Sequence, residues 1–269
     1  MKHKEHLKHR FSSEDSSSKW DKMYSENTEY LDEEIFRQRR DFTISYIQNN
    51  FSKDAVLCDI GCGAGPITAE LLKQGYNIIG LDYSADMLTN AKARIRNNGS
   101  NKNVLINGDC ESLPFASNTF DAVICLGVIS YVEFYENIIE EIQRILKPNA
   151  TSIITYRNEN NLVMNDPVTM IIVLVKKLLR INMKKDYVIG RFMNIKEVTN
   201  SLVLNNLKII DFKGIGFGPY HFNEKKLFNE KTSIKINSLI TKIAAFLKIT
   251  FLFKLACDVH IFIVKKKVP

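Results

Sequence analysis

The chain has 269 residues, 45% of them hydrophobic, which suffices for one large α/β unit or two small ones. Its net charge of +7 is modest and partly held by Lys2, Lys4, Lys8, Arg10 and Lys265 to Lys267 near the ends, so it argues for solvated tails rather than a nucleic-acid partner. Cys58, Cys62, Cys110, Cys125 and Cys257 form no C-x-x-C pair, which argues against a disulfide framework and for reduced, buried thiols in a cytoplasmic protein.

Residues 1–18 are polar and Ser-rich and read as a disordered tail. His3, His6 and His9 fall within it, and no metal site is expected there. The N-terminus lacks the apolar core of a secretory signal. From Trp20 onward aromatics enter, with Tyr24 and Tyr30, and Leu31 to Ile47 has the spacing of an amphipathic helix. Residues 19–50 therefore read as a helical cap placed before the first strand.

A regular alternation follows. Strand one is Ala55–Asp59, and a helix runs Pro66–Gln74, stopped by Gly75, a usual helix-ending residue. Strand two is Asn77–Leu81, closed by Asp82, and Ser84 caps a helix to Asn97. Strand three is Asn103–Ile106, closing at Gly108-Asp109; strand four is Phe120–Leu126, closing at Gly127. A helix over Glu136–Leu146 ends before Pro148, and strand five is Thr151–Tyr156. Such alternation predicts a parallel, doubly wound sheet with helices on both faces. Beyond Tyr156 lie an apolar stretch, Thr169–Ile181, an amphipathic helix, Asn194–Asn205, and strands at Leu207–Lys213 and Val259–Val264. Between those last strands the excursion from Gly214 to Cys257 carries a run, Ile234–Ala256, that is apolar nearly all round. The chain thus divides into a tail at 1–18 and one domain at 19–269, whose parts are the cap, a ligand-binding core at 51–156, and substrate-side helices with the last two strands at 157–269.

Ligands in doubly wound sheets sit outside the carboxyl ends of the strands, where this chain places Asp59, Asp82, Asp109 and Gly127. After strand one, Gly61, Gly63 and Gly65 recur at every second position. Glycines there let the backbone turn sharply and let a ligand approach it, and the helix start beyond favours an anionic group. A dinucleotide site requires G-x-G-x-x-G with an acid about 20 residues on. Here the pattern is D-x-G-x-G-x-G, and an acid ahead of the glycines suits a cationic group instead.

These residues resemble the motifs of class I S-adenosylmethionine-dependent methyltransferases. Asp59-Ile60-Gly61-Cys62-Gly63-Ala64-Gly65 is similar to the first, Gly80 to Leu88 to the second, Gly108 to Phe115 to the third, Phe120 to Gly127 to the fourth, and Ile145 to Ala150 to the fifth. The resemblance runs in order from about residue 51 to 156 and is nearest the small-molecule and lipid enzymes of the ubiquinone/menaquinone type. It implies a Rossmann-like methyltransferase fold: a seven-stranded, mainly parallel sheet with an N-terminal helical cap and a C-terminal helical insertion. It implies S-adenosyl-L-methionine as cofactor, its amino-acid part over Gly61, Gly63 and Gly65, with Asp59 offsetting the amino group's charge. Asp82 then accepts from the ribose hydroxyls and Asp109 from the adenine amino group. Cys110 offers its backbone N–H to the ring and Leu126 its carbonyl to the cofactor's amino group. Tyr83, Met87 and Leu113 pack on adenine and ribose. Tyr24 is read either as cap packing or as a lid residue touching the cofactor, and Asp121, at the start of strand four, as structural.

Methyl transfer needs mainly alignment of the acceptor and exclusion of water, and no motif fixes a base. Many relatives carry His just after strand four; this chain has Val128-Ile129-Ser130-Tyr131. Tyr131 and His221 remain weak catalytic candidates, with Glu133, Tyr156 and Arg157 behind them, while His260 reads as a core or edge residue. No Asn/Asp-Pro-Pro-aromatic motif follows strand four and no Pro-Cys or Thr-Cys pair occurs, which disfavours nucleic-acid methylation. The expected acceptor is a small or lipid-like molecule, and 169–181 with 234–256 form either a lid or a peripheral membrane contact, lysines facing anionic headgroups. The alternatives are a nucleotide-cofactor oxidoreductase on the same fold and a non-catalytic S-adenosylmethionine-binding relative.

Overall fold

The structure is a computed structural model; it describes residues 23, 28–159, 175, 192–218, 221–222, 225–247, 253–254 and 256–268. The tail at 1–18, Trp20, Tyr24 and nearly all of Thr169–Ile181 lie outside these residues.

The strands, numbered in chain order, are β1 Val56–Ile60, β2 Asn77–Asp82, β3 Leu105–Asn107, β4 Phe120–Leu126, β5 Leu146–Asn158, β6 Phe192–Met193, β7 Leu207–Phe217, β8 His221–Phe222, β9 Lys225–Lys226 and β10 Cys257–Lys266. The helices are α1 Leu31–Asn50, α2 Pro66–Lys73, α3 Ala85–Asn97, α4 Tyr135–Ile145, α5 Ile195–Leu204 and α6 Glu230–Phe246. The main sheet runs β3-β2-β1-β4-β5-β10-β7, with β6 joined to the end of β5 and β8–β9 forming a separate hairpin. Strands β1 to β5 pair in parallel, and only β10 runs against its neighbours β5 and β7. The expected seven strands therefore form the path, and the short β6 is an addition the apolar pattern did not reveal.

The chain leaves the sheet centre at β1 toward β3, then returns to lay β4 on the other side of β1. That reversal opens the crevice in which such folds bind ligands. One face is covered by α4 and α5, whose Ile138, Ile139, Ile142, Ile145, Val198 and Leu202 are wholly buried. The other carries α1, α2 and α3 through Leu31, Ile35, Ile47, Ile67, Leu71 and Ile95. Helix α1 starts with its own box: Glu33 accepts the Tyr30 N–H at 3.2 Å and the Glu29 N–H at 2.8 Å, satisfying donors no helical turn can reach.

Two strand boundaries differ most from expectation. Strand β5 runs through Pro148, since Asn149 takes φ 64° and the register with β4 shifts between Phe120 and Ala122; the bulge absorbs the proline. Strand β7 continues past Lys213 to Phe217, so Gly214 and Gly216 are strand residues and not the start of a loop. A Cβ on Gly214 would lie 2.6 Å from the Cys257 sulfur, and one on Gly216, at φ +79°, 2.6 Å from Ile35 Cδ1. These glycines admit β10 and α1 to close packing. The helical insertion is α6, capped by Asn229 accepting from the Thr232 N–H at 2.9 Å. It starts before Ile234 and ends at Phe246, so the apolar run to Ala256 is not one continuous helix.

Candidate active site

The first turn is built by hydrogen bonds to the neighbouring strand. Gly61 and Cys62 N–H both donate to the Leu81 carbonyl, at 2.7 and 3.0 Å, and Gly65 N–H to the Cys62 carbonyl at 2.9 Å. Gly61, Gly63 and Gly65 all hold left-handed φ values, 67°, 54° and 71°. Their surroundings separate their roles. A Cβ on Gly61 would strike Val128 at 2.3 Å and one on Gly65 would strike Ala91 at 2.9 Å, whereas nothing lies within 4 Å of one on Gly63. Gly61 thus lets the turn after β4 close in and Gly65 lets α3 do so, and Gly63 faces open space.

That space has a polar wall. Asp82, closing β2, accepts the Gly63 N–H at 2.8 Å on one oxygen and the Ser84 N–H at 2.9 Å on the other. A carboxylate oxygen can accept more than one bond, so both retain capacity for hydroxyls. Burial raises the Asp82 carboxyl despite these N–H bonds. Asn107 fixes the same corner, donating to the carbonyls of Asp82 and Tyr83 at 3.0 and 2.9 Å. Tyr83 is 43% exposed while Met87 and Leu113 are buried. Asp109 accepts the Glu111 N–H at 3.0 Å, an Asx turn that holds Cys110 at the end of β3; burial pushes the Cys110 thiol up to about 12.

Asp59 lies beneath the turn, 3% exposed, accepting the Thr68 hydroxyl at 2.7 Å. Burial first, then the charge of Asp82, pushes its carboxyl up to about 7, against the opposing pull of the Thr68 hydrogen bond and of Arg39. Arg39 is a residue the sequence reading missed. It is 6% exposed, its guanidinium stacks over Phe36 at 4.3 Å, and its Nη1 stands 2.9 Å from where a Gly127 Cβ would be. The signal was present: Leu31, Ile35, Arg39, Thr43 and Ile47, all buried, recur every four residues, and a guanidinium on that stripe demands an anionic or polar counterpart.

The structure thus brings Asp59, Gly61, Gly63, Gly65, Asp82, Asp109, Cys110 and Leu126 to one edge of the sheet. Tyr131 ends the short turn Val128–Ser130 beside them. Glu133 is exposed. Tyr156 is buried within the sheet, its hydroxyl 2.8 Å from His260 Nδ1. Arg157 pairs with Asp258 at 3.2 Å. Asp121 sits at the opposite edge, accepting the Val56 N–H at 2.9 Å and pairing with Lys147 at 2.8 Å. The backbone of His221 lies in β8, apart from the main sheet. Among the described residues no group of three or more His, Cys, Asp or Glu side chains is arranged to hold a metal ion, and all five cysteines are free.

Known proteins share this architecture. Residues 58–154 match the family described as Methyltransferase domain. The chain belongs to the class I S-adenosylmethionine-dependent methyltransferases, enzymes whose cofactor is S-adenosyl-L-methionine. Within that class it is 30% identical over 182 residues to the ubiquinone biosynthesis O-methyltransferase of Rickettsia typhi, covering 68% of this chain and 71% of that protein. The corresponding protein of Rickettsia felis is 29% identical over 182 residues, with the same coverage. The crystal structure of magnesium protoporphyrin IX methyltransferase from Synechocystis PCC 6803 with bound SAH superposes with a TM-score of 0.65 at 15% identity, over 98% of this chain and 100% of that one, a likeness of fold.

Proposed function

We propose that the methyl donor lies across the ends of β1, β2 and β4 and that the acceptor is a small or lipid-like molecule seated beyond it. The observation that carries the reading is the open space over Gly63, walled by the carboxylate of Asp82. A flat backbone there accommodates the donor's amino-acid part, and no side chain has to move. In this reading Asp82 accepts the ribose hydroxyls, Asp109 and the Cys110 N–H read the adenine, and Tyr83 and Met87 flank the sugar and ring. Arg39 faces the donor's carboxylate, while Asp59 and the Leu126 carbonyl face its amino group. Bound there, S-adenosyl-L-methionine supplies a methyl carbon activated by its sulfonium. The chain's part is to align the acceptor with that carbon and exclude water.

Calorimetry with S-adenosylhomocysteine tests this. Micromolar binding is expected, and Asp82→Ala is expected to weaken it about 10- to 30-fold, the worth of one or two hydrogen bonds to a charged group. Unchanged binding in that variant, or tight binding of NAD alone, would contradict the reading.

The named activity of the Rickettsia relatives supports a small-molecule acceptor, and the absence of strand-four motifs for base methylation supports no nucleic-acid substrate. We also infer that a cytoplasmic protein of this kind touches a membrane surface through α6. Leu239, Ile243, Phe246 and Leu247 are 58, 48, 84 and 57% exposed, and Lys231, Lys235 and Lys242 stand exposed on the same helix, as on helices that lie in an anionic interface. No helix among the described residues is long and apolar enough to cross a bilayer, so the contact is peripheral. Flotation with vesicles containing phosphatidylglycerol is expected to carry the protein upward at low salt, and Phe246→Glu to abolish it. Protein left at the bottom of the gradient with both anionic and phosphatidylcholine vesicles removes the membrane contact.

A further inference from the structure

The stretch from Gly108 to Thr119 joins β3 to β4 through turns and bends, and it carries Asp109, Cys110 and Leu113. The strand that launches it, β3, has three residues and lies at the edge of the sheet beside β2. A loop so lightly rooted needs outside ties to hold a fixed shape. Its first end has ties of its own: Asp109 accepts the Glu111 N–H at 3.0 Å on its side chain and the Ser112 N–H at 3.1 Å on its carbonyl. At the other end Asn118 and Thr119 donate their N–H groups to the carbonyls of Arg144 and Ile145, at 3.0 and 2.8 Å.

Between those ends two side chains of α4 bind the loop's backbone. Glu141 Oε2 accepts the Leu113 N–H at 2.6 Å. Arg144 donates from Nη2 to the Leu113 carbonyl at 3.0 Å and from Nη1 to the Phe115 carbonyl at 2.6 Å. The two side chains also grip each other as a fork, Nε to Oε1 at 2.7 Å and Nη2 to Oε2 at 2.8 Å. Set three residues apart, they share one face of the helix. The Arg144 hydrogen bonds, helped by the Leu113 N–H, hold the Glu141 carboxyl below its usual range against the effect of burial, so the pair is charged at neutral pH. Helix α4 is a firm base for it, since Tyr135, Ile138, Ile139, Ile142 and Ile145 are all buried. Both backbone polar groups of Leu113, and the carbonyl of Phe115, are thus fixed to rigid structure.

We propose that Glu141 and Arg144 are a positioning pair that sets the base specificity of the methyl donor, by clamping the Gly108–Thr119 loop in the shape that reads adenine. The proposal rests on the donor site described above and names what holds its base-reading part in place. Asp109 and Cys110 lie between the sheet edge and the clamped Leu113, so freeing Leu113 loosens the segment that faces the base. The ribose and amino-acid side of the site stands apart from this loop, with Gly63 and Asp82 tied to each other at 2.8 Å. Loss of the clamp is therefore read in the base-dependent part of donor binding. A planar guanidinium can serve a carboxylate and two carbonyls at once, whereas the ammonium of a lysine keeps the charge without the fork.

The test compares, by calorimetry on the full chain, S-adenosylhomocysteine with S-inosylhomocysteine, whose base has a keto oxygen where adenine has its amino group. Wild type is expected to bind the adenosyl form about 30-fold more tightly, the worth of one hydrogen bond to a charged group. Arg144→Ala should weaken the adenosyl form about tenfold and leave the inosyl form within about twofold, so that the preference falls to about threefold. Arg144→Lys should fall between, near a preference of about tenfold, as should Glu141→Gln, whose amide oxygen still accepts the Leu113 N–H. Urea midpoints show which variants are folded; where Arg144→Ala is not, Arg144→Lys and Glu141→Gln carry the test. An unchanged preference in the folded variants, or equal weakening of both ligands, would mean that the pair serves stability alone and would overturn the proposal. Wild-type protein that binds both ligands alike, yet loses affinity on Asp82→Ala, would overturn the proposal and spare the rest of the donor site. Wild-type protein that binds neither ligand would overturn the donor site and this proposal together.

Discussion

Replacing Asp59 by asparagine is expected to raise the stability of the ligand-free protein while weakening its cofactor binding. The carboxyl of Asp59 moves from an ordinary 3.8 up to about 7 because it is buried, with Asp82 adding to the rise. For an acid raised in the fold, stability is fully present below the unfolded value and is lost as pH rises through the folded one. At pH 8 the ionised, buried carboxylate therefore costs about 3–4 kcal/mol. Asparagine keeps an oxygen for the Thr68 hydroxyl, which now donates at 2.7 Å, and removes the charge. Allowing for an amide N–H₂ that lacks an acceptor, a net gain of about 2 kcal/mol is expected in urea unfolding at pH 8. The same carboxylate faces the donor's amino group in the proposed site, so S-adenosylhomocysteine should bind about tenfold more weakly to the variant, as expected for one lost charged hydrogen bond. Binding to the wild type should strengthen between pH 6 and pH 8 as Asp59 ionises. An Asp59→Asn protein less stable than wild type at pH 8 would show that the fold favours the charge.

The frame of the sheet and the residues of the proposed donor site were legible because each rests on local signals. Strand ends carry their acids, and the glycine triad announces its turn with residues 59 to 65 alone. Helix stops such as Gly75 and caps such as Ser84 work within one turn, and Ser84 Oγ accepts the Met87 N–H at 3.3 Å as a cap should. What was not legible depends on partners distant in sequence. Gly214 reads as a loop residue until β10 brings Cys257 against it. Pro148 reads only as the stop of the preceding helix until Asn149 turns left-handed and the bulge admits it to β5. Arg39 lies within a helix read only as amphipathic, although its spacing with Ile35 and Thr43 puts it on the buried stripe.

His260 should make the fold acid-sensitive in a window where Asp59 makes it acid-tolerant. Its ring is fully buried in β10, with Nδ1 2.8 Å from the Tyr156 hydroxyl and Nε2 3.2 Å from the Lys254 carbonyl. A neutral ring that donates from Nε2 and accepts the tyrosine O–H at Nδ1 satisfies both contacts. Burial lowers its pKa from 6.5 to about 4. The unfolded chain then binds the extra proton between those values, so this contribution is full above pH 6.5 and is lost as pH falls toward 4. Between pH 7 and pH 4.5 the loss is about 2.5 kcal/mol. Asp59, raised to about 7, contributes about 3 kcal/mol of opposite sign over the same interval. His260→Gln, which retains a donor and an acceptor without titrating there, should therefore lose less stability than wild type on acidification, by about 2.5 kcal/mol. Asp59→Asn should lose about 3 kcal/mol more than wild type over the same interval. The two residues lie on β10 and β1, with β4 and β5 between them, a separation of about 14 Å at ordinary strand spacing, so their effects should add and the double variant should regain nearly the wild-type slope. Urea midpoints at pH 7 and 4.5 measure all four proteins, and matching slopes in wild type and His260→Gln would mean that the ring is already charged in the fold. Saturating S-adenosylhomocysteine, whose amino group holds Asp59 ionised in the proposed site, should give the wild type the acid sensitivity of Asp59→Asn.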